Sequence, residues 1–274
     1  MRSANASNVC RCVFALTPLG LDKFKVFRPL YNVQVVDDLD SPLVLGYEVL
    51  AQPNDAGVLG PMTRRLREVF GCPVREMLAD SAYAGGADLA AAEAEGLVLY
   101  APPPDGAKDG KWIPKGEFEW LPQEQAYRRP RGHRLVHGGS SRQKRSGTEE
   151  VQLHSYRCPP EHCRGCPLRG RCTPNPDKGR SISRSEHEER IEALRARMAT
   201  PQAKELYRLR RQTVELVNAD WKEHRQLRRF CGRGLARARG QVGVTVLAHN
   251  LLTLLAQEEK AEMSSAVKPP GIAA

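Results

Sequence analysis

Aromatic side chains are scarce, 6% of the 274 residues, against a hydrophobic content of 41%. That balance fits a soluble globular chain with loop-rich parts. Long apolar runs are missing too. The most apolar stretch, "VGVTVLAHNLLTLLA" (242–256), is short and interrupted by Thr245, His249 and Asn250. It cannot span a bilayer, so no membrane partner is expected. The opening "MRSANASNVCRCVFAL" is broken by Arg11 and offers no clear cleavage site, so no secretion signal is read. The expected setting is cytoplasmic and reducing, where the eight cysteines serve as ligands or buried thiols rather than bridges. Acid is absent where base is dense: "YRRPRGHRLVHGGSSRQKR" (127–145) holds no carboxylate.

What is abundant is positive charge. The net is +10, with a pI near 9.4. It is unevenly placed: residues 1–125 hold 12 Lys/Arg against 17 Asp/Glu, and residues 126–274 hold 30 against 15. A basic half of this kind favours a polyanion, nucleic acid first, over a small-molecule substrate. The length suits one large domain or two modest ones.

Along the chain, 1–29 is irregular, with a weak strand at 9–16. Segments 30–38 and 42–51 alternate as two strands around the turn "DLDS". A helix is predicted over 56–71, capped by Asp55, and a short strand over 74–80 ends in Asp80. A helix over 86–96 stopped by Gly96 and a strand over 97–104 complete the 30–104 segment. Residues 105–185 form a basic, cysteine-bearing insertion, read as an inserted module or long ordered loop. The 186–258 segment is helical, opened by a Ser185/Glu188 capping box, with one long helix from Pro201 through Lys222. A last apolar helix runs to about 258, and 259–274 is a disordered tail.

Two carboxylates draw notice. Asp80, at a strand's end before small residues, sits where open α/β sheets receive ligands; it could equally cap a following helix. On one long helix Arg211, Glu215 and Lys222 share a face, an acid among bases. Taken alone this is a solvated face with one ion pair. Taken with Asp80 it could hold Mg²⁺ or Mn²⁺ for phosphodiester chemistry, because hard divalent cations take carboxylate oxygens.

The segments "PLYNVQVVDDLDSPLVLGYEVLAQPNDAGVL", "LADSAY", "YRLRRQTVELVNADWKEH" and "GRGLARARGQVGVTVLAHNLLTLL" resemble bacterial insertion-sequence transposases of the DDE type over residues 20–256. "ADSAY" is similar to that family's second-acid segment, which maps to Asp80, and "VELVNADWK" to its third, at Glu215. Arg211, Glu215 and Lys222 resemble its YREK signature, with Tyr207 one position off. The resemblance implies an RNase H-like α/β fold: a mixed sheet flanked by helices, with the insertion and C-terminal helices added. It implies metal-dependent cleavage and transfer of DNA at transposon ends and into target DNA, by a homo-oligomer when active. It places "YNVQVVDD" at the second strand, so the first acid would lie upstream of Met1, with Asp38 the fallback. A truncated, inactive DNA-binding remnant is the alternative.

Four cysteines crowd together as Cys158-x4-Cys163-x2-Cys166-x5-Cys172. Four thiolates can enclose Zn²⁺, and the x2 step has knuckle spacing; buried thiols are the other reading. Related transposases carry a further cysteine in a "YRCP"-like segment where this chain has Arg129. Arg129, Arg131 and Arg134 in the acid-free stretch, and Arg225 beyond Lys222, are expected to track DNA phosphates. Trp221 and His249 read as packing residues.

Overall fold

The computed structural model describes residues 19–21, 26–52, 55, 57–104, 112–144, 150–173, 175 and 177–266. The weak strand at 9–16 and the last eight residues of the expected tail lie outside them. The chain divides into two units, Met1–Asp55 with Leu209–Ala274, and Ala56–Arg208.

The first unit opens with β1 (Leu19–Leu21) and β2 (Phe27–Pro29), a short antiparallel pair. β3 (Asn32–Asp37) and β4 (Val44–Leu50) follow as the antiparallel hairpin expected. Their β-branched residues suit a pleated surface. The turn is closed by the Asp38 amide donating to Leu43 O at 2.9 Å, and by Ser41 Oγ donating to Asp38 Oδ2 at 2.7 Å. Asp55 does not cap a helix. Its Oδ1 accepts from Asn32 at 2.5 Å and Gln34 at 2.6 Å, so it ties the strand instead.

The second unit begins with α1 (Leu59–Phe70), which starts at Val58 without a side-chain cap. β5 (Glu76–Leu78), α2 (Gly86–Ala94) and β6 (Val98–Tyr100) make a β–α–β crossover whose strands pair in parallel. Gly96 ends the helix with φ +67°, a left-handed conformation that a side chain resists. Leu59, Leu89, Leu97, Leu99 and Leu194 form this part's core.

The insertion is more regular than a long loop. β7 (Glu119–Leu121), β8 (Ala126–Arg128), β9 (Arg134–Lys144), β10 (Glu150–Arg157) and β11 (Ser181–Ser185) build one antiparallel sheet in the order β11-β10-β9-β8-β7. The short helices α3 (Glu161–Arg164) and α4 (Arg169–Cys172) cross between β10 and β11. Gly and Arg in β9 mask the strand signal in sequence. Buried Leu135, Tyr127, Tyr156 and Ile182 supply the apolar face, with Trp120 packed against Tyr127 at 4.9 Å between centroids.

α5 (Glu188–Ala199) and α6 (Pro201–Arg208) close the second unit. Half of the predicted capping box forms: Glu188 Oε2 accepts from the Ser185 amide at 3.4 Å, and it also pairs with Lys115 at 2.7 Å. The expected long helix is broken. A 3-10 turn over Leu209–Gln212 separates α6 from α7 (Val214–Glu223), and the unit boundary falls at the same place.

Back in the first unit, α8 (Leu235–Ala266) runs eight residues past the predicted end. Val44, Val49, Val217, Trp221, Ala238 and Val242 form a core between the hairpin, α7 and α8. Polar contacts fix the register. Asn250 uses its side-chain amide like a strand edge, accepting from the Val44 amide and donating to the Val44 carbonyl, both at 2.9 Å. His249 Nε2 lies 2.8 Å from Pro42 O.

Parallel and antiparallel pairing both occur, with helices packed on them, and the fold is α/β. β3–β4 and β5–β6 are each a two-stranded pair, one in each unit.

Candidate functional site

Asp80 lies two residues past the end of β5. Its backbone is extended, and its Oδ1 accepts from the Ala82 amide at 2.8 Å, capping a 3-10 turn over Ser81–Tyr83. The helix-capping role weighed from sequence is thus met by this turn, not by α2. The carboxylate is half-buried at the strand's carboxyl end, where the sequence placed it.

Glu215 lies in the first turn of α7, exposed, and in the other unit. The broken helix changes its partners. Arg211 falls in the 3-10 turn and no longer shares a helix face with it, while Arg210 Nη1 reaches Glu215 Oε1 at 3.0 Å. Sequence periodicity missed Arg210, because a continuous helix turns that residue elsewhere. Lys222 is two turns beyond Glu215 on α7, so these two do share a face, and both are exposed.

The two acids ending β3 differ sharply. Asp38 is held in the turn by Ser41. Asp37 has both carboxylate oxygens buried without a hydrogen-bond partner among the described residues, and burial pushes its pKa up to about 7. Burial disfavours the charged form, so this carboxyl holds its proton far above the usual carboxylate range.

The basic residues separate by environment. Arg131 and Arg134 are exposed, and Arg134 pairs with Glu124 at 2.9 Å. Arg225 is committed to Asp220 at 2.9 Å. It borders an open groove of about 480 Å³ that is also lined by His224, Cys231, Arg237 and Gln241. Arg129 corrects an expectation. It is 5% exposed, with Nη1 3.6 Å from Cys163 Sγ and Nη2 3.4 Å from His162 O. A side chain so enclosed faces thiols and cannot track a phosphate.

Cys158, Cys163 and Cys172 are buried in one core and Cys166 is half-buried. Burial pushes the Cys158 thiol up to about 12. Among the described residues, no three His, Cys, Asp or Glu side chains stand in a closed metal-holding arrangement. No helix among them is long and apolar enough to cross a membrane.

No curated protein and no solved structure matches the chain. Residues 130–255 match the family model described as a transposase DDE domain. The matched segment takes in the four clustered cysteines, Arg211, Glu215, Lys222 and Arg225, and over it the chain is similar to the DDE domain of transposases.

Proposed function

We propose that this transposase relative cuts and rejoins DNA at transposon ends with divalent cations, and that Asp80 and Glu215 are metal-ligating acids. The family match over residues 130–255 carries the reading, because the third-acid segment around Glu215 lies within it. Asp80 lies outside the match and rests on "ADSAY" alone.

The donor set fits Mg²⁺ or Mn²⁺. Both groups are carboxylates, and neither side chain is fully buried. Bound cations supply Lewis-acid activation of a water or 3′-hydroxyl and neutralise the leaving oxygen. The chain's own side chains do the rest. Glu215 exchanges its Arg210 partner for the cation. Lys222, on the same face of α7, holds a DNA phosphate. Arg211, Arg131 and Arg134 bind the backbone, Arg through its two-pronged guanidinium. Of the two acids ending β3, Asp38 is the better placed to meet a cation, since the oxygens of Asp37 are enclosed.

The test is nicking of end-containing DNA by the full chain in Mn²⁺ or Mg²⁺, beside Asp80→Ala and Glu215→Ala. Each substitution should lower cleavage by roughly 100-fold or more, since metal stabilisation of such a transition state is worth several kcal/mol. Equal cleavage by all three proteins removes the proposed site. Binding without cleavage by all three identifies a DNA-binding remnant.

A further inference from the structure

The transposase reading leaves the cysteine cluster and its buried arginine unused. Cys158 directly follows β10, Cys163 lies in α3, Cys166 follows it, and Cys172 ends α4. The Cys166 amide donates to Cys163 O at 3.3 Å, so the x2 step is already a tight turn. Gly179 returns the chain close over Cys158. Its φ is +73°, and an added Cβ would collide with the Cys158 carbonyl. The Gly179 turn is thus packed tightly against the Cys158 backbone.

Two arginines face this cluster. Arg129 is enclosed beside Cys163, and its Nε has no hydrogen-bond partner among the described residues. Arg180 donates to Cys172 O at 2.8 Å and to Ile113 O at 3.1 Å, and its buried Nε also has no partner among the described residues. Among the described residues neither pairs with a carboxylate. A buried guanidinium opposite neutral thiols is costly, because nothing balances its charge. Four thiolates around a dication carry a net charge of −2, which two guanidinium groups neutralise.

We propose that Cys158, Cys163, Cys166 and Cys172 bind one thiophilic divalent cation of the Zn²⁺ type, with Arg129 and Arg180 as its charge-balancing outer partners. On binding, each thiol releases its proton to solvent as its sulfur bonds the cation. Cys166, the least buried of the four, moves inward to close the tetrahedron. The centre is structural. It clasps the end of β10 to the α3–α4 crossover and, through Arg129, to the end of β8. This site is independent of the Asp80 and Glu215 reading.

The test is titration of the metal-free full chain with Co²⁺ under reducing conditions, followed by competition with Zn²⁺. One equivalent should give intense sulfur-to-cobalt charge-transfer absorption, which Zn²⁺ then abolishes. Cys166→Ser, at the half-buried position, should weaken binding and reduce that absorption while the far-ultraviolet circular dichroism stays native. Arg129→Gln should keep one site per chain but weaken it about 10- to 100-fold, the usual effect of losing an outer partner, and Arg129→Lys should recover part of the loss. A folded chain that binds no stoichiometric Co²⁺, or binds it undiminished in Cys166→Ser, overturns the proposal. Undiminished affinity in Arg129→Gln overturns the role given to that arginine. Loss of DNA nicking with the cobalt signal intact would count against the catalytic reading alone.

Discussion

Arg210 Nη1 stands 3.0 Å from Glu215 Oε1, across the break between a 3-10 turn and α7. The acid that a cation would need is therefore paired with a neighbouring base. An ion pair this exposed is worth at most ~1 kcal/mol. A divalent cation can displace it.

Removing the competitor should help the metal. Arg210→Ala should lower the Mn²⁺ concentration for half-maximal nicking by up to about five-fold, the equivalent of ~1 kcal/mol. Arg211→Ala should leave that concentration unchanged and weaken DNA binding. A metal titration of both variants on one DNA substrate decides it.

Asp37 predicts a pH effect on stability. Its folded pKa is about 7 against an ordinary 3.8. Between those values the folded chain keeps a proton that the unfolded chain has lost. This group's contribution therefore falls as pH rises through the window, by at most ~4 kcal/mol. Asp37→Asn should melt at a higher temperature than the parent at pH 8 and at nearly the same temperature at pH 4. A difference that is constant across pH would contradict the burial of this carboxyl.

Trp221 is 1% exposed in the first unit's core, and its indole N–H has no partner among the described residues. Trp221→Ala should cost about 3–5 kcal/mol in denaturant unfolding. Trp221→Phe should cost much less, since it keeps most of the ring and discards an unsatisfied donor.

The exposed bases of the antiparallel sheet should govern salt dependence. Replacing Arg131, Arg134 and Arg142 together with Ala should reduce the slope of log affinity against log salt by about 2 to 3. Arg129→Ala should leave that slope unchanged, because its guanidinium is enclosed. Fluorescence anisotropy on a short duplex over a range of salt measures both.

The hairpin, the crossover and the apolar helix were legible because alternation and helical spacing are local properties. The long β9–β10 ribbon was not, because Gly138, Gly139 and a run of Ser, Arg and Gln lack apolar alternation, and pairing with neighbours makes the strand. The break at Leu209–Gln212 was equally hidden, since "YRLRRQTVEL" contains neither Gly nor Pro. The residue types at Asp80 and Glu215 suggest the chemistry proposed for them. Their partners were not legible, because Ala82 and Arg210 are set by turn geometry. Arg129 looked like a phosphate contact in a basic run, and only tertiary burial assigns it to the thiols.

The central claim is that Asp80 and Glu215 are both metal-ligating acids. It is tested most directly by Mn²⁺ binding followed by electron paramagnetic resonance on the DNA-bound protein, in the parent, Asp80→Ala and Glu215→Ala. Metal ligation predicts that each single variant loses tight Mn²⁺ relative to the parent. Tight Mn²⁺ retained in full by either variant would contradict it.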